Sequence, residues 1–160
     1  MQGDPKIIAL LNEQLTAELT AINQYFLHAK MQEHWGYQSL AGHTRAESID
    51  EMRHADRITD RILFLEGVPN YQRIGSLRIG QTVPEQFQAD LAIEQEAVDR
   101  LRPGIAECRA GGDVTSALLL EGILTDEEGH IDYLETQLAL LDTLGEQHYL
   151  AHHLGSSPDS

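Results

Sequence analysis

Glu47-Ser48-Ile49-Asp50-Glu51-Met52-Arg53-His54-Ala55 contains a Glu-x-x-His pair, Glu51 with His54, and Asp126-Glu127-Glu128-Gly129-His130-Ile131-Asp132 contains a second, Glu127 with His130. A lone glutamate precedes each pair by the same interval: Glu18 (51 − 18 = 33) and Glu94 (127 − 94 = 33). A shift of 76 positions therefore superimposes two complete triads. Residues three apart on a helix share a face, so each pair can point two donors at one spot. One Glu-x-x-His is ordinary chance spacing on a solvated helix. Two in register, each with a matching glutamate, form the ligand set of a di-iron or di-manganese four-helix bundle.

The two lone glutamates lie where a core residue belongs. Leu11, Leu15, Ile22 and Tyr25 stand at minus seven, minus three, plus four and plus seven from Glu18, and Phe87, Leu91, Val98 and Leu101 at the same offsets from Glu94. These offsets mark one helical face. A buried carboxylate left alone is so costly that it is neutralised, paired or bound to a metal. Four carboxylates and two neutral imidazoles balance two divalent ions, and hard oxygen donors with one imidazole per ion suit Fe(II) or Mn(II), with zinc also able to bind. Asp50 and Asp126 precede the two pairs and are placed to orient the histidines through their second ring nitrogens, although a simple exposed aspartate fits the spacing equally.

Working outward, Asp4-Pro5 reads as a helix start and Gly36 as its end near Trp35. Ser39 opens a second helix running to Glu66, with Ile58, Ile62 and Leu65 on one side and Gly67-Val68-Pro69-Asn70 stopping it. Gly67 to Gln81 is a turn-rich connector, long enough when extended to cross the bundle's long axis and make the second and third helices parallel. Thr82 with Glu85 forms a capping box for a third helix that ends at Gly111-Gly112, with a kink expected at Pro103. Asp113 caps the fourth helix, whose inward face reads Leu120, Leu124, Ile131, Leu134 and Leu138 and which ends near Gly145. Gly122 and Gly129 weaken that helix, and a closely packed neighbour would compensate. Glu146 to Leu154 reads as a short fifth helix. The expected organisation is all-α: one domain over residues 1–154 and a disordered tail over 155–160.

The chain has 160 residues, enough for one domain with a sizeable core. Its formal charge of −15 repels nucleic acid and anionic lipid and draws in cations. The single cysteine, Cys108, excludes an internal disulfide and a cysteine-rich metal site and suits a reducing cytoplasm. No apolar run approaches the roughly 18 residues of a membrane span, and no export signal opens the chain. A cytoplasmic protein with neither nucleic-acid nor membrane partners is expected.

Four strings closely resemble bacterioferritin: Leu11-Asn12-Glu13-Gln14-Leu15-Thr16-Ala17-Glu18, Ile22-Asn23-Gln24-Tyr25-Phe26-Leu27-His28, and the two segments around Glu51 and Glu127 quoted above. The resemblance spans essentially the whole chain. It implies a ferritin-like bundle with a long crossover, assembled as a homo-oligomeric shell of 24 subunits. It implies a ferroxidase that oxidises Fe(II) with O2 or H2O2 at an intrasubunit di-iron centre, stores a ferric mineral, and releases iron through a ferredoxin or reductase. Glu18, Glu51, His54, Glu94, Glu127 and His130 are its implied iron ligands. It also implies haem b between paired subunits, held by one methionine from each, which maps onto Met52. Helical geometry places Met52 about 130° from the inward direction set by Glu51 and His54, hence outward. Tyr25 resembles a family tyrosine that assists electron transfer, with core packing as its alternative. Glu47 and Asp50 resemble acidic residues near an iron route, and a solvated helix face explains them equally. Some relatives have a histidine at the position of Ala46, which with Asp50 forms an inner-surface iron site; its absence here puts that site in doubt. Tyr133 occupies an aromatic position explained by packing. His28, His34, His43, His148, His152 and His153 match no ligand role.

Three alternatives share parts of this pattern. A di-metal peroxidase or catalase uses paired Glu-x-x-His helices, but a rubredoxin partner needs two Cys-x-x-Cys pairs. A DNA-protecting miniferritin places its metals between subunits, whereas this chain supplies a whole set, and its acidity opposes DNA. A haem-bearing structural subunit would not need all six ligands.

Overall fold

The computed structural model describes residues 1–155. Four long helices, α1 (Pro5–His34), α2 (Gln38–Phe64), α3 (Val83–Ala110) and α4 (Val114–Leu144), precede a short α5 (Glu146–Ala151). Helices α1 and α2 form one antiparallel hairpin, α3 and α4 the other, and α1 packs on α3 across the bundle. The crossover lies along α1: Gly67 sits against Ile8, the Gly75 amide donates to Thr20, the Arg78 amide to Gln24 and the Gly80 amide to His28. The chain thus returns from the N-terminal to the C-terminal end of α1 before α3 begins, so α2 and α3 run parallel. This is the ferritin-like topology expected from the connector's length.

Most helix limits have local causes. Asp4 accepts from the Lys6 amide, Thr82 from the Glu85 amide and Asp113 from the Ser116 amide, each satisfying a first-turn donor. The Glu85 carboxylate reaches the Gln81 amide, closing the box one residue early. Tyr37, not a residue at the expected Ser39, precedes α2; it has no side-chain cap, and the Ser39 hydroxyl instead meets His153 Nδ1 at 2.5 Å. At the other end of α2 the left-handed position falls on Glu66 (φ 63°), not on a glycine. Gly67 is needed for space: a Cβ there would lie 2.7 Å from Ile8 Cγ2. Helix α3 continues through Pro103 to Ala110.

The core has polar layers between two apolar ones. Leu11, Leu15, Ile58, Ile62, Leu101, Leu120 and Ile123 fill one end of the bundle, and Leu40, Phe87, Leu134, Leu141 and Tyr149 fill the other. Between them lie Glu18, Glu51, Glu94 and Glu127, followed by a network in which Gln24 donates to Asp90, His28 pairs with Asp90 at 2.9 Å, and Gln32 bonds Gln86 and Thr44. On α4 the buried stripe centres on Ile123, Glu127, His130 and Leu134. Leu124, Ile131 and Leu138, expected at its centre, are half-buried at its edge. Gly122 and Gly129 have open space around them rather than a close neighbour, which removes the compensation expected for them. Cys108 is buried in the first apolar layer, which pushes its thiol up to about 11 and leaves it protonated. Gly155, expected in a disordered tail, pairs with Tyr37 in a parallel bridge; the rest of that tail, 156–160, lies outside the described residues. No described helix is long and apolar enough to cross a membrane.

Candidate metal centre

Glu18, Glu51, His54, Glu94, Glu127 and His130 converge inside one subunit, and none is more than 7% exposed. Two four-residue groups result: Glu18, Glu51, His54 and Glu127, and Glu51, Glu94, Glu127 and His130, with donor atoms in each group within 4.8 Å of one another. Glu51 and Glu127 belong to both. His54 Nδ1 lies 3.5 Å from Glu18, 3.8 Å from Glu51 and 3.2 Å from Glu127; His130 Nδ1 lies 3.2 Å from Glu51, 3.4 Å from Glu94 and 3.9 Å from Glu127. Each histidine therefore has its own outer glutamate, and both share the central pair. Each triad borrows one glutamate from the other, a cross-pairing that spacing alone does not reveal.

The polar atoms left without partners test whether the site fits a pair of cations. Glu18 Oε2, Glu51 Oε1, His54 Nδ1, Glu94 Oε2 and Glu127 Oε1 are all buried without a hydrogen bond. Native interiors rarely leave one such group unpaired. Five facing one spot could hold cations, and their oxygen and imidazole chemistry fits two hard or borderline divalent ions.

The surroundings fix these donors. Asp126 holds Nε2 of His54, the histidine of the other Glu-x-x-His pair, at 2.8 Å. His130 breaks the symmetry: its Nε2 is 2.5 Å from Glu47 and 3.7 Å from Asp50, so Glu47 takes the place expected for Asp50. Glu47 is not on a solvated face; it is 7% exposed and also meets His43 Nε2 at 2.8 Å. Its position four residues before Glu51, on the same helical face, is the signal that could have identified it. The same offset identifies Gln14, whose amide donates to Glu18 Oε1 at 2.8 Å. Tyr25 does not partner Glu18, one face-step away on its own helix, but donates a short hydrogen bond to Glu94 Oε1 across the bundle. Burial and the charges of Asp90, Glu51, Glu47 and Glu127 hold its phenol well above the usual range.

In the metal-free centre the carboxylates compete. Burial and the negative charges of Glu18 and Glu127 push Glu51 well up. Burial opposes ionisation of Glu18, but its close neighbours Glu51, His54 and Gln14 outweigh it and bring Glu18 down. Burial opposes charge on both histidines, yet their carboxylate partners raise His54 to about 10 and His130 to about 9, while Glu47 falls to about 2 despite its burial. Protons thus supply the positive charge that metal ions would bring.

A ferritin-like domain family matches residues 8–144. Bacterioferritin BfrA of Mycobacterium tuberculosis is 68% identical over 158 residues, 99% of each chain. The chain belongs to the bacterioferritin family. The Streptomyces coelicolor bacterioferritin is 66% identical over 94% of this chain and 90% of its own. A solved structure of M. tuberculosis bacterioferritin superimposes with a TM-score of 0.96 at 69% identity, covering 97% of this chain and 98% of that one. Met52, the residue that bacterioferritin resemblance maps onto a haem ligand, points away from the carboxylates and is 55% exposed.

Proposed function

We propose that this bacterioferritin stores iron by oxidising Fe(II) at the dinuclear centre and depositing Fe(III) as mineral inside a 24-subunit shell. The five buried, partnerless donor atoms at one spot carry this reading. Two Fe(II) ions, the substrate, give one electron each to a two-electron oxidant. With O2 the balance is 2 Fe(II) + O2 + 2 H⁺ → 2 Fe(III) + H2O2, and with H2O2 it is 2 Fe(II) + H2O2 + 2 H⁺ → 2 Fe(III) + 2 H2O.

The chain's own groups prepare the reaction. Glu51 and Glu127, common to both donor sets, are placed to bridge, while Glu18 with His54 and Glu94 with His130 complete the two ends. Asp126 and Glu47 engage the Nε2 atoms, so that Nδ1 is the atom offered to iron. Tyr25 holds Glu94 Oε1 by its phenolic hydrogen bond and leaves Oε2 for metal, which puts the tyrosine that the resemblance links to electron transfer directly against the centre. Outside the bundle, Met52 exposes a thioether that would hold haem iron on a face open to a second subunit. Haem b held there by two such methionines would supply a route for electrons; a ferredoxin or reductase is the partner class for iron release.

Aerobic addition of Fe(II) to the purified protein is expected to generate ferric absorbance, with the first turnover slowed at least tenfold in Glu18→Ala and His130→Ala. Unchanged rates in both variants would sink the ferroxidase assignment.

A further inference from the structure

A partly open cavity of about 250 Å³ lies between α1 and α3 beneath the crossover. Glu13, Arg78 and Glu96 form its exposed rim, and the buried carboxylates Glu18, Glu51, Glu94 and Glu127 form its floor, so it joins solvent to the centre. The rim charges cancel in pairs: Arg78 bonds Glu96 at 2.7 Å, and Glu13 bonds Arg73 at 2.6 Å. Arg100, half-buried in the wall, is different. Among the described residues no carboxylate comes within 4.0 Å of it, and its Nη1 donates to the Gln14 carbonyl at 3.3 Å. The Gln14 amide then donates to Glu18 Oε1 at 2.8 Å. An uncompensated guanidinium thus stands between solvent and four carboxylates, tied to one of them through a single buried amide.

The other side of the centre has the opposite character. There Glu47 and Asp50 flank His130 and Asp126 flanks His54; Arg53 pairs with Asp50 at 3.0 Å and Arg57 lies 4.0 Å from Asp126, while among the described residues no lysine or arginine pairs with Glu47. A fixed charge at a constriction sorts ions by sign, most strongly where the walls exclude water. We propose that the gap between α1 and α3 is a separate access route for the small uncharged oxidant, and that Arg100 bars cations from it and sends them to the acidic side. Gln14 couples this guard to the centre by holding Glu18 Oε1 and leaving Oε2 free for metal. Ala17, Ala21 and Ala97 line the passage, and their size sets its width.

This inference rests on Fe(II) being oxidised at the dinuclear centre, and the test separates the two. Co(II), which binds such sites without being oxidised by air, is mixed with full-length metal-free protein and its visible absorption followed by stopped flow. Arg100→Gln is expected to raise the Co(II) association rate about three- to tenfold at low salt, with the gain fading toward ~0.5 M salt, while Arg100→Lys stays close to the unsubstituted rate. Ala97→Leu, which narrows the passage, is expected to raise the KM for O2 or H2O2 several-fold with the Co(II) rate unchanged. Ala97→Val is a milder substitute if the larger side chain disturbs folding. A Co(II) rate that is unchanged or lower in Arg100→Gln overturns the guard. An Ala97 variant that slows Co(II) while leaving the oxidant KM alone makes the gap a metal route. Failure of the unsubstituted protein to take up two Co(II) per subunit would refute the dinuclear centre itself.

Discussion

Glu51 is caught between Glu18 and Glu127 in a buried site, and its carboxyl is held well above the ordinary range by burial and by those two charges. A carboxyl raised in this way binds its proton more tightly in the folded than in the unfolded protein. Its ionisation therefore costs stability increasingly as pH rises above the unfolded value near 4.5. Glu51→Gln removes that conflict at nearly constant shape: the metal-free variant should be about 1 kcal/mol more stable at pH 8, nearly unchanged at pH 5, and unable to bind two metal ions. Melting in chelator at both pH values checks this, and a lower melting temperature at pH 8 would contradict it. The histidines shift upward as well, but for them the proton brings charge rather than removing it. His54 and His130 are raised to about 10 and about 9, so their stabilisation of the metal-free fold is complete below 6.5 and disappears as pH climbs through those values. At pH 7 Co(II) binding is therefore expected to expel at least the two histidine protons per subunit, with Glu51 adding to them, measurable with an indicator in weak buffer; no release would mean that the histidines are already neutral without metal. The six candidate ligands, which the structure brings together, were legible because they repeat at fixed spacing. Gln14 and Glu47 were not, because a lone glutamine or glutamate four residues from a ligand gives no such repeat, and whether it faces the centre or solvent depends on how the neighbouring helix is rotated.

Helix α4 supports its ligands with poor helix formers at Gly122 and Gly129, and neither has a close neighbour within the subunit. Gly122→Ala should then stabilise the isolated subunit by roughly 0.5–1 kcal/mol, because alanine loses less backbone entropy and meets nothing. Chemical denaturation checks this, and a loss instead would show that another copy packs there. Gly80 is the counter-case. A Cβ at this position would lie 2.4 Å from the Gln86 amide nitrogen and 2.7 Å from its Cα, so the crossover can approach α3 only where a side chain is missing. Gly80→Ala should cost about 2 kcal/mol or more and loosen the His28–Asp90 layer; amide exchange at Gly80, which donates to His28 Nε2, reports that loosening directly. Helix number, order and most limits could be read from apolar spacing and from Asp4, Thr82 and Asp113. The ends of α2 were legible to within two residues, but their chemistry was not: Tyr37 supplies no side-chain cap, and the left-handed residue is Glu66 rather than a glycine.

At the scale of the molecule, the chain separates two chemistries by direction. The negative charge and buried carboxylates draw cations inward, while the outward faces of α1 and α2 expose Phe26, Ile49 and Met52 to solvent in the lone subunit. Exposed apolar side chains of this size on a chain of charge −15 are expected to be covered by another copy. If assembly proceeds to the proposed shell, the particle mass is 24 × 17.9 kDa, about 430 kDa, which sedimentation distinguishes from a dimer near 36 kDa (2 × 17.9). Met52 should sit where two copies meet. Met52→Leu keeps the apolar contact and removes the sulfur, so it should abolish the haem spectrum while preserving particle mass and aerobic iron oxidation. Glu18→Ala should do the reverse, slowing oxidation while leaving haem in place. The two residues lie on opposite faces of the same hairpin, and loss of both functions in either variant would mean that the inward and outward sites depend on each other.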